Sequence, residues 1–267
     1  MKIEENLKGT GVERKILDEV FKKLTTWPQD FNIHPTIQKI YEERIKNYQN
    51  NDNLDWATME SLAFGTLLKQ GYGVRLSGQD VERGTFSHRH AFISDQKKDI
   101  PKFCFLKEIS PKAIISNSHL SEYGVLGFEY GYSITNPNVL TIWEAQFGDF
   151  SNGASIMIDN YIVAAEPKWG IQSGIVMNLP HGMDGQGPEH SSARLERYLH
   201  MSDDNCDVDQ NITYEEQMKK CNIQIVVPST SANYFHAMRR QMVRNYRKPL
   251  IMFNSKKLLK FKGVIMS

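Results

Sequence analysis

One acidic residue, Glu122, opens a stretch in which glycines follow two, five and nine residues later, at Gly124, Gly127 and Gly131. On a helix those glycines share one face, although each costs about 1 kcal/mol against alanine. A face without side chains lets another backbone or a flat ligand come very close. A carboxylate at its entrance can hold or exchange a proton. An acid in a first helical turn is also stabilised by the helix dipole, by roughly 0.3–1 kcal/mol, without any chemistry. Two histidines, His181 and His190, bracket a loop with glycines at 182, 185 and 187. Such a pair is an acid/base candidate. It is not a metal site, because its spacing is loose and no Cys or carboxylate triad accompanies it. Phe147 and Phe150 flank Gly148-Asp149. They read either as core aromatics or as a wall for a flat heterocycle, worth about 0.5–1.5 kcal/mol beyond burial. His88-Arg89-His90 reads equally as a basic surface turn or as part of a site. Arg239, Arg240, Arg244, Arg247 and Lys248 read as a solvated, dipole-compatible helix end.

The chain has 267 residues, 40% hydrophobic and 24% charged, the makeup of one large α/β domain or two small ones. Lys+Arg 32 against Asp+Glu 31 gives a net charge of +1, which points to neither nucleic acid nor an anionic membrane. No run approaches the 18 or so apolar residues of a membrane span. Cys104, Cys206 and Cys221 fit neither a disulfide framework nor a zinc pattern. There is no G-x-G-x-x-G opening a helix, no Walker loop, no G-x-S-x-G elbow and no H-E-x-x-H.

Positioning these residues requires strands alternating with helices. Residues 10–50 read as helical, broken around Trp27-Pro28, and Asp55 caps a helix from Trp56 to about Lys69. Strands are expected at 72–78, 111–117, 138–144, 174–180, 222–228 and 248–253. Helices are expected from Glu122, from Phe150 to about Ala165, through Leu195 and Leu199, and from Ala232 to about Arg244. Several strands are continuously apolar, so the fold class is α/β with a doubly wound, mostly parallel sheet. In such sheets ligands bind beyond the carboxyl ends of the strands. The loops 78–90, 144–150 and 181–190 should therefore converge on one edge.

Four stretches together resemble one family. They are Leu76-Ser-Gly-Gln-Asp-Val-Glu-Arg-Gly-Thr-Phe-Ser-His-Arg-His90, Leu120-Ser-Glu-Tyr-Gly-Val-Leu-Gly-Phe-Glu-Tyr-Gly131, Trp143-Glu-Ala-Gln-Phe-Gly-Asp-Phe150 and Leu179-Pro-His-Gly-Met-Asp-Gly-Gln-Gly-Pro-Glu-His-Ser-Ser-Ala-Arg194. They are similar to the thiamine diphosphate-dependent decarboxylating components of 2-oxoglutarate dehydrogenases, and Arg247-Lys-Pro-Leu-Ile fits the last strand of that family. The resemblance runs from about Gly11 to Leu259. It implies a helical lead-in over 1–52, a transketolase-like pyrimidine-binding domain over 53–255 and a tail over 256–267. It implies that Glu122 shares a proton with N1′ of the aminopyrimidine, with Phe147, Phe150, Gln146 and Leu120 as cofactor-binding positions. It implies that His190 lies near substrate and lipoyl transfer, that His181 is a second active-site histidine, and that His88, Arg89 and His90 meet substrate. The family holds Mg2+ and the diphosphate through Gly-Asp-Gly, which does not occur here. The expectation is therefore that no metal ligand lies in this chain, and that a diphosphate-binding domain or subunit absent from it completes the site.

The implied activity is oxidative decarboxylation of 2-oxoglutarate with succinyl transfer to lipoyl-lysine, in the tricarboxylic acid cycle. The implied partners are a second copy in a homodimer and a lipoyl-bearing succinyltransferase core. The implied compartment is the mitochondrial matrix, or alternatively a bacterial cytoplasm. Two other readings stand beside it: a 2-oxoadipate dehydrogenase, and a non-catalytic pseudo-domain that assembles with the true enzyme.

Overall fold

The computed structural model describes residues 9–203, 213, 216, 217 and 220–260. Three helices lead in: α1 (Arg14–Leu24), α2 (Pro35–Gln49) and α3 (Trp56–Lys69). Each of the last two is started by local chemistry. The His34 ring accepts from the Thr36 amide at 3.2 Å with Pro35 in the first turn of α2. The Asp55 carboxylate accepts from the Thr58 amide at 2.7 Å. Asn50 and Asp55 frame a polar turn between α2 and α3, where Asn51 and Asn53 take left-handed backbone.

The sheet has six strands: β1 (Gly73–Gly78), β4 (Ala113–Asn117), β5 (Val139–Glu144), β6 (Val176–His181), β7 (Gln224–Val226) and β8 (Leu250–Ser255). Their order is β4-β1-β5-β6-β8-β7, and every pairing is parallel. The sheet is wound on both sides, and the strand residues divide accordingly. Leu250 and Met252 of β8 join Val74, Leu76, Leu140 and Ile142 against α1, α3 and α6 (Ser231–Val243). Ile251 and Phe253 join Trp143, Met177 and Leu179 against α4 (Glu122–Thr135), the segment 148–165 and α5 (Leu195–Met201). That alternation is the period of two expected of a strand buried on both faces.

The lead-in shares the first of these cores, since Val20, Phe21, Leu24, Tyr41 and Tyr48 pack with Trp56 and Leu67.

Two local expectations give way. The helix expected from Phe150 to Ala165 is broken into a 3-10 stretch (Gly148–Ala154), a short α stretch (Ser155–Met157) and a π stretch (Ile158–Ile162). A Cβ on Gly148 would lie 2.4 Å from the Ala193 methyl and 2.7 Å from the Pro180 carbonyl. The chain is therefore pinned to β6 where a regular helix would start. The basic end of α6 is not solvated. Arg239 is 1% exposed and donates to the Thr10 carbonyl, the Thr66 hydroxyl and the Gln70 amide oxygen, while Lys248 is buried against Glu166. Lys256–Lys260 forms a helix, α7, directly after β8. A two-residue hairpin, β2 (Phe92–Ile93) with β3 (Phe103–Cys104), is also present. Cys206 lies outside the described residues, and Cys104 and Cys221 are buried free thiols. Among the described residues, no helix is long and apolar enough to cross a membrane.

Candidate active site

The loops after β1, β5 and β6 meet at the carboxyl edge of the sheet. Phe86, from the first, stands edge-on to Phe147, from the second, with centroids 5.6 Å apart. The His190 ring, from the third, stands edge-on to Phe147 at 4.6 Å and to Phe150 at 5.3 Å. Phe147 and Phe150 are themselves 5.8 Å apart at 78°. All four rings are only partly exposed, which leaves an aromatic surface facing outward at the rim of the sheet.

Glu122 is at the first residue of α4, after the edge strand β4. Its carboxyl group lies against Gly153, where an added Cβ would come within 3.4 Å of Oε2. Gly153 belongs to the same 3-10 stretch that Phe150 lies in, so this seven-residue stretch joins Glu122 to the aromatic rim. The glycine face of α4 is closely packed at one place. A Cβ on Gly127 would meet the Met157 methyl at 3.2 Å, Gly124 meets only its own entry turn at Leu120, and Gly131 faces open space. Beside that face Leu120, Tyr123 and Phe128 are 53%, 51% and 57% exposed.

His181, at the end of β6, accepts from the Ala193 amide through Nδ1 at 3.0 Å. Acceptance there requires Nδ1 to be unprotonated, so the neutral ring carries its proton on Nε2. His190 Nδ1 lies 3.2 Å from the Glu189 carboxylate. Between these histidines, Asp149 accepts from the Ser192 amide at 3.0 Å through Oδ1, while its other oxygen is buried without a partner.

His88, Arg89 and His90 do not act as one group. Arg89 is 2% exposed and turns into the core, where it makes paired bonds to Glu60 (2.5 and 3.1 Å) and to Glu144 (2.9 and 2.5 Å). Its guanidinium is fully taken up there, so Arg89 is a support and not a substrate ligand. The Tyr234 hydroxyl donates to Glu60 at 2.9 Å, and Asn178 donates to Tyr234 at 3.0 Å. His88 is also buried, stacked on Gly84, and neither ring nitrogen has a partner. Burial and then the Arg89 and Arg44 charges hold its imidazole well below its usual range. His90 is partly exposed, in left-handed backbone, with Nε2 2.9 Å from the Ser87 carbonyl.

Lys256 was not foreseen. Its side chain is buried beneath the rim, donates to the His190 carbonyl, and lies 4.8 Å over the Phe147 ring. Burial lowers its ammonium below the usual range, against the pull of Asp149 and Asp184. The only signal in the sequence was a lysine immediately after a buried strand, where ligands of such sheets gather.

The arrangement offers a rim of edge-on aromatic rings, a carboxylate next to a side-chain-free backbone, two histidines and a buried acceptor without a donor. That set suits a heteroaromatic ring with exchangeable N–H groups. Among the described residues, no three His, Cys, Asp or Glu side chains converge to hold a metal ion.

Residues 52–262 match the family model of the transketolase pyrimidine-binding domain. The chain belongs to that family. Over 94% of its length it is 48% identical to the mitochondrial 2-oxoglutarate dehydrogenase of Saccharomyces cerevisiae, and 49% identical to that of Dictyostelium discoideum. Over 96% of its length it is 49% identical to the 2-oxoglutarate dehydrogenase E1 component of Brucella ovis. It spans about a quarter of the length of these relatives (25%, 26% and 24%).

Proposed function

We propose that this chain is the pyrimidine-binding part of a thiamine diphosphate-dependent 2-oxoglutarate dehydrogenase, acting in oxidative decarboxylation of 2-oxoglutarate and succinyl transfer to lipoyl-lysine. The observation that carries the reading is the Glu122 carboxylate held against Gly153, on the same short stretch as the aromatic rim. Thiamine diphosphate, when bound, supplies the electron sink that lets a 2-oxo acid lose CO2.

The residues of this chain have separable tasks. Glu122 holds a proton at its carboxyl oxygen for a ring nitrogen. Phe147 and Phe150 orient the ring and exclude water, with Gln146 and Leu120 beside them. His181 presents an Nε2–H donor, and His190 a ring nitrogen, toward the substrate side of the rim. His90 remains a substrate contact in this reading.

The diphosphate and its Mg2+ are assigned to another domain or subunit, supported by the missing Gly-Asp-Gly and by the fourfold greater length of the relatives. The exposed Leu120, Tyr123 and Phe128 along the glycine face support a homodimer seam on α4. The lipoyl-bearing succinyltransferase core is the proposed acceptor assembly. Mitochondrial relatives in yeast and Dictyostelium support the mitochondrial matrix, and the Brucella relative supports a bacterial cytoplasm as the second reading. Division at 52 and 255 into lead-in, domain and tail remains our proposal for the sequence units.

The test is CO2 release from 2-oxoglutarate by the intact protein carrying this chain, with an artificial electron acceptor. Thiamine diphosphate-dependent turnover is expected, higher kcat/KM with 2-oxoglutarate than with 2-oxoadipate, and loss of roughly 100-fold or more in Glu122→Gln. Wild-type silence would leave the pseudo-domain reading, and normal turnover by Glu122→Gln would refute the role of Glu122.

A further inference from the structure

Helix α7 carries two lysines four residues apart, hence on one face. Each reaches the rim of the site in the same way. Lys256 donates to the His190 carbonyl and lies over the Phe147 ring. Lys260 donates to the Asp184 carboxylate at 2.6 Å and lies 5.3 Å over the Phe86 ring. Phe86 and Phe147 are in edge-on contact with each other. The two ammonium groups therefore hold loop 181–190 at Asp184, beside its tip, and at His190, together with Phe147, against which His190 packs, and Phe86, which packs on Phe147.

The loop needs an external grip. It has glycines in left-handed backbone at Gly182 and Gly185, and Met183 at its tip is 73% exposed. Its internal ties are short-range: Gly182 to Ser191, His190 to Gly187, and the Ser191 hydroxyl to Gly187. Glycine-rich backbone loses the most freedom on ordering, so a loop of this kind holds a ring in place only if something outside it supplies the constraint. We propose that Lys256 and Lys260 are positioning residues that clamp loop 181–190 and so fix the His190 ring against Phe147 and Phe150. The effect on turnover rests on the function proposed above; the clamp itself does not.

The two claims separate by experiment. In the intact protein, backbone hydrogen exchange of residues 182–190 is followed beside exchange in α1 and α3, and kcat and KM for 2-oxoglutarate are measured. Lys260→Met and Asp184→Asn should each speed loop exchange by about two- to fivefold, as befits a part-exposed ion pair. Their double variant should add nothing, and Lys260→Arg should restore the slow rate. Lys256→Met should speed it roughly tenfold or more, because a charged donor to a part-buried carbonyl is lost. Exchange in α1 and α3 should not change. Activity should fall mainly in kcat, with Lys256→Arg intermediate. Unchanged loop exchange in the Lys256 and Lys260 variants would overturn the clamp, as would a uniform rise through α1 and α3. Loop exchange that responds as expected in a protein that never turns over 2-oxoglutarate would uphold the clamp and refute the functional reading.

Discussion

Two glutamates of helix α4, two turns apart, are treated in opposite ways. Glu129 is fully buried and accepts a paired bond from Arg75 at 2.6 and 2.8 Å, with the guanidinium also over the Phe128 and Tyr132 rings. Glu122 rests against bare backbone at Gly153, and among the described residues no donor reaches its carboxylate. The same division runs through the molecule. Below the rim, Glu60, Glu144, Arg89, Tyr234 and Asn178 form a buried polar network inside the first core. At the rim, Glu122, His181, His190, Phe147 and Phe150 are all partly exposed. The buried carboxylates Glu60, Glu144 and Glu129 are matched by arginines, whereas Glu122 and one Asp149 oxygen have no partner among the described residues.

The contrast is most severely tested from the closed side. Arg89→Met leaves two carboxylates buried without their cation and should cost about 3–5 kcal/mol in denaturant unfolding. A loss under 1 kcal/mol would mean that the network is not what holds the loop after β1 to the sheet. Gly127→Leu comes next. Its side chain must displace Met157 and fill the seam, so about 1–3 kcal/mol of stability and a drop in oligomeric mass are expected. Unchanged mass by light scattering would remove the proposed dimer seam from α4.

His88 gives a pH-dependent member of the series. Its imidazole is depressed in the fold by burial and by Arg89 and Arg44. The unfolded state therefore binds the extra proton first, and stability falls as pH drops below about 6.5, by up to about 1.4 kcal/mol per pH unit. His88→Gln should flatten that slope by one proton relative to wild type. A parallel slope in the two proteins would show that His88 is protonated in the fold. The smallest effect belongs to the open side: Glu122→Gln should change unfolding stability by under about 0.5 kcal/mol, as for any surface substitution.

How much of this was legible depended on whether a residue's partner was local. The six strands, the Asp55 cap and the start of α4 at Glu122 follow from short-range patterns; the cap and the helix start stand where those patterns put them, and the strands lie within two residues at each end, with β7 shortened to Gln224–Val226. The convergence of Phe147, Phe150 and His190 followed from strand-end topology. Arg89 was misjudged because its carboxylates lie 29 and 55 residues away, and nothing local marks an arginine as inward. Lys256 was missed for a related reason, since lysine is rarely buried and reads as surface. The break at Gly148 was hidden because the atoms that forbid a side chain there come from Pro180 and Ala193. The hairpin β2–β3 is two residues per strand, too short for any periodicity to register.

The central claim is that Glu122 is the proton-holding group of a thiamine site completed by another domain or copy. Exchange of the C2 proton of bound thiamine diphosphate, followed by quenched-flow NMR in the intact protein, tests it most directly. Wild type should exchange fast and Glu122→Gln roughly 100-fold or more slowly, with the stability of the two proteins matching. Exchange at the wild-type rate in folded Glu122→Gln would contradict it.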